Sequence, residues 1–166
     1  MIVYLLRHGE AEDVGPHGAR SDAERRLTAE GRERLLRAAP TWRRLVGDVD
    51  RVYSSPLIRA RETADVFAEA VRFHGKRGEL AGLVPEADPD DVARVILADA
   101  TEGLTSVAFV GHEPHLGGTL AMLLVGRGSI PFKKGMLVGV ELAGKTAPTS
   151  RLLCCVTTKL ASKLGE

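Results

Sequence analysis

The stretch that decides the fold is Ile2-Val3-Tyr4-Leu5-Leu6-Arg7-His8-Gly9, "IVYLLRHG" at residues 2–9. Its first five side chains are apolar or aromatic without interruption. A short run of this kind, closed by a glycine, reads as a strand buried on both faces, which is the signature of a sheet covered by helices on either side. The strand should then end in turn residues, yet it ends in a guanidinium and an imidazole. In parallel α/β sheets ligands bind in the crevice at the carboxyl ends of the strands, so Arg7, His8 and Gly9 mark a candidate site as well as a strand end.

Further apolar, β-branched runs occur at Val107–Val110, Met136–Leu142 and Leu152–Thr158, with a shorter one at Val52–Tyr53. Between them the apolar residues recur at helical spacing: Leu35, Ala38/Ala39, Trp42 and Leu45/Val46, then Ala60, Ala64, Phe67 and Val71. Ser55-Pro56 and Asp88-Pro89 both read as helix starts, a cap followed by proline in the first turn, and Asp90 and Asp91 add negative charge where the helix dipole favours it. Asp88, Asp90 and Asp91 are therefore expected to cap rather than catalyse. Strands alternating with helices predict one α/β domain over residues 1–166, a three-layer α/β/α arrangement with a mostly parallel central sheet and its last two strands antiparallel. Residues 12–23, with Gly15, Pro16 and Gly18, read as a surface loop directly after the opening motif. The arginine-dense segment from Arg20 to Arg44, interspersed with Asp22, Glu24, Glu30 and Glu33, reads mainly as a solvated helix laced with i, i+4 ion pairs.

Across 166 residues, 23 Lys and Arg stand against 22 Asp and Glu, a formal charge of +1. Nothing global attracts a nucleic acid or a membrane surface, so affinity for an anion must be local. No apolar run approaches the roughly 18 residues of a membrane span and no signal-peptide pattern opens the chain, so a soluble, cytoplasmic protein is expected. The cysteines, Cys154 and Cys155, are adjacent on a strand; alternation sends them to opposite faces, which disfavours a disulfide and suggests core filling.

Two other strand ends carry unusual chemistry. "RVYSSPLIRARETA" (residues 51–64) places Arg59 in the helix after Val52–Tyr53, and "VAFVGHEPH" (residues 107–115) ends its strand in Gly111-His112. If the three ends converge, one pocket holds Arg7, His8, Arg59 and His112, a constellation suited to a tetrahedral dianion such as phosphate. Each residue alone has a plainer reading, as a hydrogen-bonded structural histidine or a surface arginine. Their order along the chain is the distinguishing signal.

Taken together, "LLRHGEAE", "SDAERRLTAEG", "YSSPLIRARETA" and "VGHEP" resemble the histidine phosphatase superfamily, with its phosphoglycerate-mutase-like fold, and within it the small SixA-type phosphohistidine phosphatases. The resemblance implies that His8 is the nucleophile, forming a covalent phosphohistidine that divides one displacement into two. It implies that Arg7 and Arg59 clamp the phosphoryl oxygens and that His112, protonated when phosphate is bound, donates to them. Gly9 would let the backbone approach the phosphate and bond to His8, and Arg25 stands where a further phosphate-binding arginine is expected. No metal or other cofactor is implied.

A proton donor for the leaving group is the thin part of the pattern. Glu79, in "KRGELAGL", is the first choice by its place in the chain; Glu10 and Glu113 read as residues that orient Arg7 or cap a helix, and Glu86 is more distant. Phosphohistidine has a weak P–N bond and a leaving group that can carry its own proton, so a thin acid favours it as substrate. Residues 64–107 have room for one helix, a short strand and another helix, without a covering insertion. That predicts an open, shallow pocket and a phosphorylated protein as partner. A small phosphoester is the enzymatic alternative, and a non-catalytic phosphoprotein-binding module the other. Thr63 reads as packing or a backbone hydrogen bond, and Lys133 and Lys134 as solvated. "GHEPHLGG" departs from the H-E-x-x-H zinc pattern, and no G-x-x-x-x-G-K-[ST] nucleotide loop occurs.

Overall fold

The apolar run at residues 2–6 forms the strand it predicts, with alternate side chains sent to opposite faces. The structure is a computed structural model and describes residues 1–143 and 149–165. Strand β1 spans Ile2–Arg7; β2 is Arg51–Ser54, β3 Lys76–Glu79, β4 Ser106–Gly111, β5 Leu137–Ala143 and β6 Thr149–Val156. They form one sheet in the order β3-β2-β4-β1-β5-β6. The pairs β2·β3, β2·β4 and β1·β4 are parallel, and β1·β5 and β5·β6 antiparallel. This is the single α/β domain that the alternation implies, with the antiparallel strands at the end of the chain.

From β1, Tyr4 and Leu6 point into the layer formed with α1 (Ala29–Leu45) and α2 (Ile58–Ala70), where Leu35, Trp42, Ala64 and Phe67 are buried. Val3 and Leu5 point into the opposite layer, with Val92 and Ile96 of α3 (Pro89–Thr101) and Leu116 and Leu120 of α4 (His115–Val125). Thr28 caps α1 by accepting from Gly31 N. Asp88 caps α3 by accepting from Asp90 N, with Pro89 at the start, as predicted. No helix among the described residues is long and apolar enough to cross a membrane.

Four expectations change. Helix α2 begins at Ile58 with Leu57 as its cap residue, so Ser55-Pro56 is not a cap; the Ser55 hydroxyl is drawn to His112 instead. The final strand stops at Val156 and gives way to a helix, α5 (Thr158–Gly165), whose Ala161 is buried and accepts from the Thr41 hydroxyl of α1 at 2.6 Å. Cys154 is only half-buried and Cys155 exposed, because β6 is the outermost strand and its face is poorly covered; both are free thiols. Finally, the arginine-rich segment is helical only from Ala29. There the pairs Arg34–Glu30 and Arg37–Glu33 form as expected, whereas residues 20–27 are loop with a short 3-10 turn at Asp22–Glu24.

Candidate active site

Because β1, β4 and β2 are neighbours and parallel, the residues that follow them leave the sheet at one edge. The ladder continues just past the strand ends: His8 N donates to Gly111 O at 3.0 Å and Ser55 N to Val110 O at 2.9 Å. Gly135, before β5, closes the other side, donating to both Arg7 O (3.1 Å) and His8 O (3.0 Å). Its φ of +68° lies in the left-handed region, and a Cβ there would stand 2.4 Å from Thr158 Cγ2, so glycine is required. The result is a rigid rim carrying Arg7 and His8, of the kind that holds a reactive group in one place.

On this rim the rings of His8 and His112 lie 4.8 Å apart between centroids. His8 is 6 % exposed, His112 1 % and Arg59 3 %, so all three side chains are buried. His8 Nδ1 lies 2.6 Å from Gly9 O, an acceptor only, so Nδ1 carries the proton and Nε2 keeps its lone pair free. Burial, reinforced by the charges of Arg59, Arg7 and Arg25 and opposed by the Gly9 bond, pushes the His8 pKa down to about 3. Burial, then His8 and Arg59, lowers that of His112 to about 2, with Asp22 pulling the other way. Both rings are therefore neutral at neutral pH, and His8 has the form a nucleophile needs.

His112 Nε2 pairs with the Ser55 hydroxyl at 2.9 Å, and that oxygen also accepts from Leu57 N at 3.3 Å. The arrangement leaves His112 Nδ1 buried without a partner. Arg7 Nε and Arg59 Nε are likewise buried and unpartnered. Three unsatisfied nitrogens around one site are unusual in a folded interior and fit an anion that would bond to them.

The flanking residues fix the arginines. Arg7 Nη1 donates to Phe132 O at 2.6 Å, and Phe132 N donates to Glu113 Oε1 at 2.8 Å, so Glu113 orients Arg7 through the backbone of residue 132. Thr63 donates to Arg59 O at 2.7 Å and accepts from Gly9 N at 3.1 Å, a backbone role as expected, but one that ties the first motif to the second. Gly9 makes the expected backbone bond to His8, and it is small for a further reason: a Cβ would lie 2.8 Å from Leu35 Cδ1 and 3.1 Å from Leu27 Cδ2, so it also makes room for the core.

Arg25 lies close enough to His8 to depress its pKa, and donates to Glu12 O and to Asp22 Oδ1. Asp22 also receives Arg59, an involvement the sequence reading missed although Asp22 stands in the quoted "SDAERRLT". Ser55 was missed because Ser-Pro reads so readily as a cap. Of the other acidic residues, Glu79 ends β3 at the same edge of the sheet, opposite Ser54. Glu79 is exposed, paired with Arg61 at 3.2 Å in a surface depression that also contains Asp65 and Arg77. Glu10 pairs with Arg34 and Lys134 and does not touch Arg7, and Glu86 is exposed. Lys133 and Lys134 are both exposed. Among the described residues, no group of three His, Cys, Asp or Glu side chains is placed to hold a metal.

With this geometry in view, the chain can be set beside known proteins. Residues 3–78 match the family model described as histidine phosphatase superfamily (branch 1). Phosphohistidine phosphatase SixA of Escherichia coli is 28 % identical over 142 residues, 86 % of either chain. An uncharacterized protein of Picosynechococcus is 30 % identical over 156 residues, 85 % of either chain. The solved structure of the protein histidine phosphatase SixA complexed with tungstate superposes with a TM-score of 0.84 at 25 % identity, covering 96 % of this chain and 98 % of the other.

Proposed function

The chain belongs to the histidine phosphatase superfamily, and from that premise we propose that it hydrolyses phosphohistidine on a protein, in the cytoplasm and without a metal, through a phosphorylated His8. The observation that carries this reading is the bond from His8 Nδ1 to Gly9 O, which leaves Nε2 unprotonated among Arg7, Arg59 and His112. The SixA relative of similar length supports the choice of phosphohistidine, as does the absence of an inserted segment between α2 and β4 beyond β3, a turn and α3.

In the first step His8 Nε2 attacks phosphorus in line with the leaving nitrogen. The P–N bond to the substrate imidazole breaks as that to His8 forms. Arg7 and Arg59 hold the equatorial oxygens, where charge is spread in the transition state. The departing imidazole keeps the electron pair of the P–N bond and, with a proton already on its other ring nitrogen, leaves as a neutral ring, so the scheme does not require Glu79. In the second step water attacks phosphorus, His8 Nε2 leaves with its electron pair, and inorganic phosphate is released. A bound dianion works against the burial that keeps His112 neutral, and the partnerless Nδ1 is the atom from which His112 donates.

The test is rapid quench with labelled phosphohistidine protein, sugar phosphates and a phosphoserine peptide as competing substrates, followed by peptide mapping. Label on residue 8 and preference for the phosphohistidine protein are expected. His8→Ala should abolish the label, whereas His112→Ala should slow its formation and its loss. Label on residue 112, or turnover without label, would overturn the mechanism; preference for a sugar phosphate would overturn the substrate. Phosphate binding with no turnover would identify a binding module.

A further inference from the structure

The loop after the opening motif brings a carboxylate into the proposed phosphate site. Arg59 Nη2 donates to Asp22 Oδ2 at 2.9 Å, and Arg25 Nη1 donates to Asp22 Oδ1 at 3.0 Å, so one carboxylate bridges two of the three arginines. Arg59 Nη1 donates separately to the Asp22 backbone oxygen at 2.7 Å. Accepting charged N–H groups on two oxygens is what a phosphoryl group does at an arginine pair.

We propose that Asp22 is a built-in competitor for the phosphoryl group: its carboxylate occupies Arg59 and Arg25 between turnovers, turns away when phosphate or substrate binds, and returns to help expel the product. This rests on the reading of the site as a phosphate site. Three features support exchange rather than permanent pairing. The Asp22 side chain is 54 % exposed, so it can rotate into water at little cost, whereas Arg59 is 3 % exposed and cannot follow it. The backbone carbonyl of Asp22 keeps its own bond to Nη1, so rotation of the side chain frees Nη2 without releasing the guanidinium. Positioning and competition are thus divided between two atoms of one residue.

Charge points the same way. Burial works to raise the Asp22 pKa, but the bonds from Arg25 and Arg59 outweigh it and hold the carboxyl below its ordinary value, so the group is anionic at neutral pH. With Arg7, Arg25 and Arg59 cationic and both histidines neutral, an ionised Asp22 offsets part of the attraction for a dianion. Such an offset weakens product binding, and a phosphatase that holds phosphate too tightly is limited by its release.

The experiment is calorimetric titration of the protein with inorganic phosphate, beside steady-state product inhibition, for the wild type, Asp22→Asn and Asp22→Ala. Asp22→Asn keeps the shape and removes the charge; Asp22→Ala removes both and leaves the backbone carbonyl. Both variants should bind phosphate about tenfold more tightly, with stronger product inhibition and a lower KM. Unchanged or weaker phosphate binding would show that Asp22 only orients the arginines and would overturn the proposal. Arg59→Ala, or Arg59→Lys if the alanine variant unfolds, should lose phosphate affinity. If both retain it, the phosphate-site reading itself fails, a result independent of the Asp22 comparison.

Discussion

Acidification should cost this protein stability at its own site. In the folded chain the pKa of His8 is pushed down to about 3 and that of His112 to about 2, chiefly by burial. In the unfolded chain each imidazole returns to about 6.5. Below pH 6.5 the unfolded state therefore binds protons that the native state refuses. The contribution is fully present above that pH and is lost progressively as pH falls toward 3, then 2. Between pH 7 and pH 5 the loss integrates to about 2 kcal/mol for each histidine, about 4 kcal/mol for both. Urea unfolding at the two pH values would measure it, with His8→Asn combined with His112→Gln as the reference that cannot titrate at these positions. The wild type should lose about 4 kcal/mol more than the double variant, and each single variant should recover about half of that difference. Equal losses in wild type and double variant would refute the argument, because the two rings would then titrate as they do in water and His8 would not be held ready as a neutral nucleophile.

Replacement of Arg59 by Ala should lower kcat/KM by a factor corresponding to about 3 kcal/mol, and Lys should rescue poorly, since a point charge does not reproduce the planar fork; near-normal turnover in Arg59→Ala would detach α2 from the site. Vanadate should inhibit more strongly than phosphate, and activity should persist in EDTA; equal affinities would argue against in-line attack, and loss on chelation with recovery on adding zinc or magnesium would overturn the metal-free scheme. Gly135→Ala should cost about 1–3 kcal/mol in urea unfolding and loosen the rim behind Arg7 and His8, since the position combines a left-handed backbone with a 2.4 Å approach to Thr158; a change within error would show that the turn adapts.

Much of the site is written locally. A strand end is a strong signal: once residues 2–6 and 107–110 are read as parallel strands, Arg7, His8 and His112 must leave the sheet on one side, and the helix after β2 delivers Arg59 to the same place. What escaped the sequence depends on contacts between distant residues. Ser-Pro is an excellent cap pattern, yet Ser55 is held by the ladder bond to Val110 and by His112, and the helix starts three residues later. Helix α5 is too short to declare itself and forms where Thr41 and Arg44 of α1 reach its carbonyls. The cysteines look like core because their strand is apolar, but only the position of β6 at the sheet edge tells that its face is uncovered.

The same distinction explains why the cations of the site were legible while, of its anions, Glu113 was read as a partner of Arg7 and Asp22 was not. Arginine and histidine stand out at a strand end, where turn residues are expected, whereas aspartate and glutamate in loops look ordinary and have many plain uses as caps and surface partners. Glu113 reaches Arg7 only through Phe132, and Asp22 reaches Arg59 across 37 positions of the chain. Glu113 is flagged by its place beside His112, whereas the role of Asp22 depends on where its loop folds back over the sheet, which no local spacing encodes. A site that gathers arginines must also keep them apart and oriented before its ligand arrives. Backbone carbonyls and a few carboxylates do this here, so the electrostatics of the site are set by these partners as much as by its arginines and histidines.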